Sequence, residues 1–386
     1  MESDDALLRQ DPSDRTAGDS TEAAGVVAVL KKPLPPCALF IALPFPALAC
    51  SLAGYGGGLH WTLDLFSHFK AQYFFVALLC AVAIPTCHAY GRRRRRISGG
   101  GDDDPRFPRK AAIAGLSVAI ATMVLNAFEI VPLFFSPYGS ATADAGKPTR
   151  VLFINVNTAN KRYGDVERLI LDERPDIVVL AEVDAAWLSG IKGVFDAYPF
   201  HIASPRGDNF GIALFAERKP LEMKLVPIGD PNYGIQCAMC RFEMDGRRAT
   251  LLGAHTLPPV GSAGYDERNA MLAEIAEIAA GKKRSGEEVV VVGDLNTTPW
   301  SDSFKRLERG GALRDARSGF GVQPTWPAIP FLFPLLIPLD HCLVSEGITV
   351  IELEVLRNVG SDHYPLSVSL RGKPSPTASR NPSAVP

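Results

Sequence analysis

Six segments in the C-terminal two-thirds of this sequence carry acids, amides or histidines where a strand would end or begin. "FINVN" ends in Asn155 and Asn157, "VVLAEVD" contains Glu182, and "LLGAH" ends in His255. "VVVVGDLN" ends in Asp294 and Asn296, "PLDH" carries Asp340 and His341, and "GSDH" carries Asp362 and His363. Each group alone has an ordinary explanation. Asn155 can be a turn amide, and His255 can bond a backbone carbonyl. Asp294 and Asn296 can cap a helix near Trp300, Asp340 can start a strand, and Asp362–His363 can be a plain turn. Glu182 is harder to dismiss, because an unpaired buried carboxylate costs several kcal/mol or must become neutral. So many coincidences in one stretch of chain favour a shared site. Oxygen ligands without a Cys/His cage suit Mg²⁺ or Mn²⁺ better than Zn²⁺. Amides and imidazoles can donate to phosphate oxygens, and an Asp beside a His can activate water. The set reads as a hydrolase of phosphoesters.

The runs that carry these residues have the character of buried strands. "RVLFINVN" (150–157), "DIVVLAEV" (176–183) and "EVVVVGDLN" (288–296) are continuous and apolar, as expected of strands covered on both faces. "GIALFAE" (211–217), "IQCAMCRFEM" (235–244), "RATLLGAH" (248–255), "LDHCLVS", "ITVIELEVL" and "YPLSVSL" also read as strands. Asp245-Gly246 marks a hairpin. Helical stripes fall at Val166, Leu169 and Ile170, and at Met271, Leu272, Ile275 and Ile278. Interleaved strands and helices predict an α/β domain with mixed sheets, and ligands gather at strand ends in such sheets.

The remaining hydrophobicity is concentrated before residue 140. Of all residues, 47% are hydrophobic, and three long apolar runs account for the excess: 34–53, 73–90 and 111–135. Each approaches the ~20 residues a membrane-crossing helix needs. Lys31, Lys32 and the block Arg92–Arg96, with Arg106, Arg109 and Lys110, flank these runs on one side. The positive-inside rule then makes the N-terminus and the arginine loop cytoplasmic, and everything after the third run extracytoplasmic. This predicts a multi-pass inner-membrane protein. Glu129 is an acid inside the third run and a functional suspect by default. Formal net charge is −2, so bulk charge does not indicate a nucleic-acid partner. Cys237 and Cys240 form a CxxC pair, but with no second pair or nearby His they read as packing residues.

The order Asn155, Glu182, His255, "GDLN" (293–296), "LDH" (339–341) and "GSDHYP" (360–365) resembles the endonuclease/exonuclease/phosphatase superfamily. A bacterial membrane-tethered subgroup with "NVN…N", "DNFGIALF" and "TWP" before "DH" is the most similar. The resemblance spans roughly 148–371. It implies a DNase I-like four-layer sandwich of two mixed β-sheets flanked by helices, which the three apolar runs would precede as three transmembrane helices. It also implies Glu182 as the main Mg²⁺ (or Mn²⁺) ligand with Asn155 assisting and Asp362 near the metal. Asp294 would orient or deprotonate the attacking water, and Asn296 would hold a phosphate oxygen. His255 and His363 would contact the scissile phosphate, with Asp340 fixing the His363 tautomer. Asn209 would steady the site. Asn157, Asn160, Arg268 and Thr325 are further substrate-side candidates.

The domain reading is a disordered cytoplasmic N-terminus (1–33), a three-helix membrane region (34–136) and a linker (137–148). The catalytic domain (149–371) and a disordered tail (372–386) follow. Partners are a phosphoester of unspecified class and the lipid bilayer, with no obligate protein partner. An extracytoplasmic nuclease, a phospholipid-type phosphoesterase and a catalytically dead scaffold are the alternatives. One stretch bears on the choice. "TWPAIPFLFPLLIPLDH" (325–341) is either a buried loop under the site or an apolar lip that leans on a bilayer.

Overall fold

The computed structural model describes residues 36–99, 108–135 and 147–373. The polar N-terminus (1–33), nearly all of the linker (137–148) and most of the tail (372–386) lie outside the described residues, as does Arg106.

Residues from Thr149 onward build two six-stranded sheets. The strands are β1 (Thr149–Asn155), β2 (Ile177–Ala181), β3 (Phe200–Ser204), β4 (Ile212–Ala216), β5 (Glu222–Pro227) and β6 (Gln236–Met244). They continue with β7 (Arg247–His255), β8 (Glu288–Asp294), β9 (Leu313–Asp315), β10 (Asp340–Ser345), β11 (Ile348–Val355) and β12 (Leu366–Gly372). One sheet runs β11-β12-β1-β2-β4-β3 and the other β5-β6-β7-β8-β10-β9. Each has a parallel pair at its centre, β1 with β2 and β7 with β8, between antiparallel neighbours.

Alternation along the strands explains the layering. Val151 and Phe153 of β1 point between the sheets, where Val179, Leu251, Val290 and Val292 meet them. Leu152 and Ile154 point outward and pack against Val166, Leu169 and Ile170 of a covering helix, Tyr163–Glu173. The second sheet is covered by the helices Gly261–Arg284 and Asp302–Gly311. Each such apolar side chain contributes about 1.5–3 kcal/mol on full burial. Cys240 belongs to the inter-sheet core and Cys237 to the outer one; both are free thiols. The result is the four-layer sandwich of two mixed sheets with helices outside.

Before it stands a helical region: α1 (Pro36–Ala42), α2 (Pro44–Gly54), α3 (Trp61–Ser67), α4 (Lys70–Ile97) and α5 (Arg109–Ile130). Among the described residues two helices, α4 and α5, are long and apolar enough to cross a membrane. The expected first crossing is not a single long helix. Pro44 and Pro46 lack the N–H groups that would continue the ladder, so it divides at Leu43. The pair α1–α2 still runs alongside α5. Ile41 packs against Gly115, and Ser51 donates to Asn126 Oδ1 at 2.9 Å.

Candidate active site

The two parallel pairs end at the same rim of the sandwich, and their last residues supply the site. In β7–β8 register His255 lies opposite Asp294. Gly293 permits that approach, since a Cβ there would run into the Ala254 carbonyl. β10 runs antiparallel to β8, so its first residue, Asp340, lies opposite Asp294. β12 returns beside β1, placing the turn before it (361–363) next to Asn155.

The side chains converge. Asn155 Nδ2 donates to Glu182 Oε1 at 2.9 Å and to Asp294 Oδ2 at 3.1 Å. His363 Nδ1 bonds Asp340 Oδ2 at 2.8 Å, and its Nε2 lies 3.6 Å from Asp294 Oδ2. The carboxylate partner makes Nδ1 the protonated nitrogen and turns Nε2 toward the cleft. His255 Nε2 lies 3.7 Å from the same Asp294 oxygen, and its ring stacks on Phe210. Asn157 Nδ2 donates to Asp362 Oδ1 at 2.6 Å, and Trp326 Nε1 donates to Asp362 Oδ2 at 3.2 Å. Asn296 Nδ2 donates to the Thr256 carbonyl at 2.8 Å. Asn157, Glu182, Asn209 and Asn296 all have left-handed φ, between 46° and 69°. That conformation is costly for Glu, and it clusters here at the strand ends.

Burial sets the electrostatics. It lifts the Asp294 carboxyl to about 7 against the pull of His363. It would lower His363, but the charges of Asp340, Asp294 and Asp362 and the Asp340 hydrogen bond outweigh it and raise that imidazole to about 10. Burial holds His255 below its usual value. Asp294, Asp340 and His363 can present ligand atoms all within 4.8 Å of one another, and the second oxygen of Asp340 is buried with no hydrogen-bond partner. Glu182 joins them through Asn155. Acids this close, with hard oxygen donors, are what a divalent cation fits.

Three expected substrate-side residues are placed elsewhere. Arg268 is fully buried: Nη2 pairs with Asp64 Oδ2 of α3 at 2.6 Å and Nη1 donates to the Asn296 carbonyl at 2.9 Å. It positions the Asn296 loop rather than touching the cleft. Asn160 is tied into its own loop, donating to the carbonyls of Val156 and Val359 and accepting from Arg162 N–H. Thr325 receives the N–H groups of Leu339 and Asp340, so it sets the start of β10. Asn209 is exposed and lines the cleft. Glu129 is paired with Lys305 of the sandwich at 2.9 Å. His341 is a buried neutral imidazole that donates from Nε2 to the Thr297 carbonyl and accepts from Arg317.

Sequence reasoning missed Trp326, Phe210 and Ser361. Ser361 Oγ donates to the Asn155 carbonyl and accepts from His363 N–H. "TWP", "DNFG" and "GSDH" contained the signal for all three. The larger omission is the helical region's share: Leu65, His68 and Phe69 line the cleft together with the catalytic side chains. His68 Nδ1 bonds Thr298 Oγ1 at 3.1 Å, Tyr265 donates to the Gly57 carbonyl, and Gln72 donates to the Leu336 carbonyl. Loss of Asp64 would strand the Arg268 guanidinium, a defect that typically costs about 3–5 kcal/mol.

Comparison with known proteins gives three kinds of result. Among curated proteins, no sequence matches. Similar solved structures include an endonuclease/exonuclease/phosphatase from Bacteroides vulgatus, with 20% identity over 59% of this chain and 100% of that one, TM-score 0.48. The human nocturnin catalytic domain shares 18% identity over 60% and 97%, TM-score 0.48. A Beutenbergia cavernae endonuclease/exonuclease/phosphatase shares 18% over 59% and 72%, TM-score 0.46. A family model matches residues 152–363, more than half of the chain, from within β1 to His363. On that match, the chain belongs to the Endonuclease/Exonuclease/phosphatase family.

Proposed function

We propose that this protein is a divalent-metal-dependent phosphoesterase, held in a membrane by its N-terminal helices, that hydrolyses its substrate by attack of water. The observation that carries this reading is the meeting of Glu182, Asp294, Asp340, Asp362 and His363 at one rim, with Asn155 bonded to two of the carboxylates. Glu182, with Asn155 and Asp362 beside it, would hold Mg²⁺ or Mn²⁺. Bound there, the ion would polarise the phosphoryl oxygen and ease the charge on the leaving oxygen.

The chain's own groups do the rest. Asp340 fixes the His363 ring, so that Nε2 faces Asp294. The proton lost by water passes to the Asp294–His363 pair. His255 and the remaining N–H of Asn296 are donors for phosphate oxygens, and fixed donors of this kind stabilise developing charge without reorganising. No Lys or Arg is among the described residues that line the cleft, which disfavours a phosphate-tracking nucleic-acid groove.

The membrane part of the reading rests on the helices. Phe75, Leu79 and Val82 of α4 and Ile113, Val124 and Phe128 of α5 are exposed, an apolar surface that hydrocarbon would cover. Gln72 touches the sandwich at one end of α4, whereas Arg92–Arg96 close the other end, roughly 33 Å away at 1.5 Å per residue. Basic block and catalytic domain therefore face opposite sides, as the positive-inside rule orders a cytoplasmic block and an extracytoplasmic enzyme.

The test uses the full chain in vesicles and a chromogenic phosphodiester. Activity should require a divalent ion, vanish with chelator, and fall ~10²–10⁴-fold in His363→Ala. Activity indifferent to both would overturn the assignment.

A further inference from the structure

The cleft has one polar wall and one apolar wall, and the helical region builds part of the apolar one. Leu65, in α3, and Phe69, between α3 and α4, line a cavity of about 630 Å³ that also contains His255, Asn296 and His363. The buried Asp64–Arg268 pair latches α3 in place. A second apolar groove, of about 490 Å³, lies beside it between the first turns of α4 and the turn Pro330–Leu335. That turn buries none of its side chains. Phe331 is 80% exposed and Phe333 71%, and Gln72 of α4 ties the turn to the helix ends. Of the two sequence expectations for this stretch, the structure supports the exposed lip. Exposed apolar groups this large need a partner. Aromatic side chains beside the ends of membrane helices find it at the bilayer interface.

We propose that the substrate is a lipid-borne phosphoester. Its phosphate is held at His255, Asn296 and His363, and its apolar tail leaves along Leu65 and Phe69 toward the bilayer. Phe331 and Phe333 seat the rim of the cleft in the outer leaflet. This rests on the phosphoesterase reading above and names the substrate class of the same site. In the reaction the water oxygen bonds to phosphorus and the ester P–O bond breaks. One proton leaves the water for the Asp294–His363 pair, and the departing alkoxide takes one up. No electron transfer is involved.

The experiment compares esters that share one reacting group: hexadecyl, methyl and thymidine p-nitrophenyl phosphates. The full chain is assayed in phosphatidylcholine vesicles with Mg²⁺. The hexadecyl ester should exceed the methyl ester in kcat/KM by at least about tenfold, the scale set by even one well-packed methylene. Phe331→Ser/Phe333→Ser should lower the hexadecyl rate several-fold and leave the methyl rate unchanged. These side chains are exposed, so the variant keeps its fold. A hexadecyl-to-methyl ratio near one, equal loss on both esters, or a preference for the thymidine ester would overturn the lipid assignment while leaving the phosphoesterase reading intact. Cleavage of none of the three would remove the phosphoesterase reading and this one with it.

Discussion

The two rims of the sandwich hold charge in opposite ways. At the rim where β1, β2, β7 and β8 begin, acids have bases beside them. Arg150 meets Glu173 at 3.0 Å, Arg241 sits between Glu222 at 2.9 Å and Glu287 at 2.5 Å, and Arg247 meets Glu288 at 3.0 Å. At the rim where those strands end, four carboxylates gather around two histidines, with no Lys or Arg among the described residues that line the cleft. The first rim also has a hollow, of about 510 Å³, but it is lined by Asp176, Arg218 and Lys219. Hollow space therefore does not mark a site in this fold. Unmatched charge does, because it leaves a place for a cation and for a proton in transit.

The largest effect that separates the rims is on rate. Asp340→Asn should lower turnover ~10²–10⁴-fold, since the His363 imidazole loses the carboxylate that fixes its tautomer. Glu287→Gln, at the paired rim, should leave turnover unchanged and lower only the melting temperature. If both substitutions changed rate alike, the distinction between the rims would collapse.

The next effect is on stability and depends on the metal. A cation that binds only the folded protein, supplied at ~100 times its Kd, adds about 2.7 kcal/mol. Mg²⁺ or Mn²⁺ should therefore raise the melting temperature of the native chain. Glu182→Gln should abolish that rise without destabilising the metal-free protein, because it removes one of several crowded acids. A melting temperature indifferent to metal would show that the acids tolerate each other without an ion.

Part of this contrast was legible in the sequence, for a physical reason. Strands buried on both faces are unbroken apolar runs, so Glu182, Asp294 and Asp340 stood out at their edges. The edge strands β3 and β5 leave no distinctive run in the sequence, because only half of each is covered. The apolar run 176–183 overshoots the end of β2 by two residues, since nothing local announces the left-handed turn at Glu182. Arg268 looked like a substrate contact because its partner, Asp64, lies 204 positions away. For the same reason the cleft wall formed by Leu65 and Phe69 could not be seen. Periodicity reports the covered faces of one element and is silent about which distant element covers them.

The smallest effect comes from an acid pair on neither rim. Glu308 accepts the Asp315 N–H at 3.0 Å, and burial, then the Asp315 charge, lifts its carboxyl to about 7. A raised folded value means the fold prefers the protonated form. The penalty for ionising Glu308 is absent below about pH 4.5, where folded and unfolded chains both keep the proton. It grows as pH rises and is complete above pH 7. Glu308→Gln keeps an oxygen for the Asp315 N–H and carries no charge, so it should gain stability only at the alkaline end. The gain there should be at most about 2–3 kcal/mol, the shift converted at 1.36 kcal/mol per unit and reduced for the residue's partial exposure. Urea midpoints at pH 5 and pH 8.5 measure it, and equal midpoints for variant and native chain at pH 8.5 would refute it. Mg²⁺ should leave this gain untouched, since only two acids meet here and Arg317 already sits 3.2 Å from one of them. If Mg²⁺ erased the gain, two crowded acids would suffice to recruit a cation, and the strand-end rim would lose its distinction.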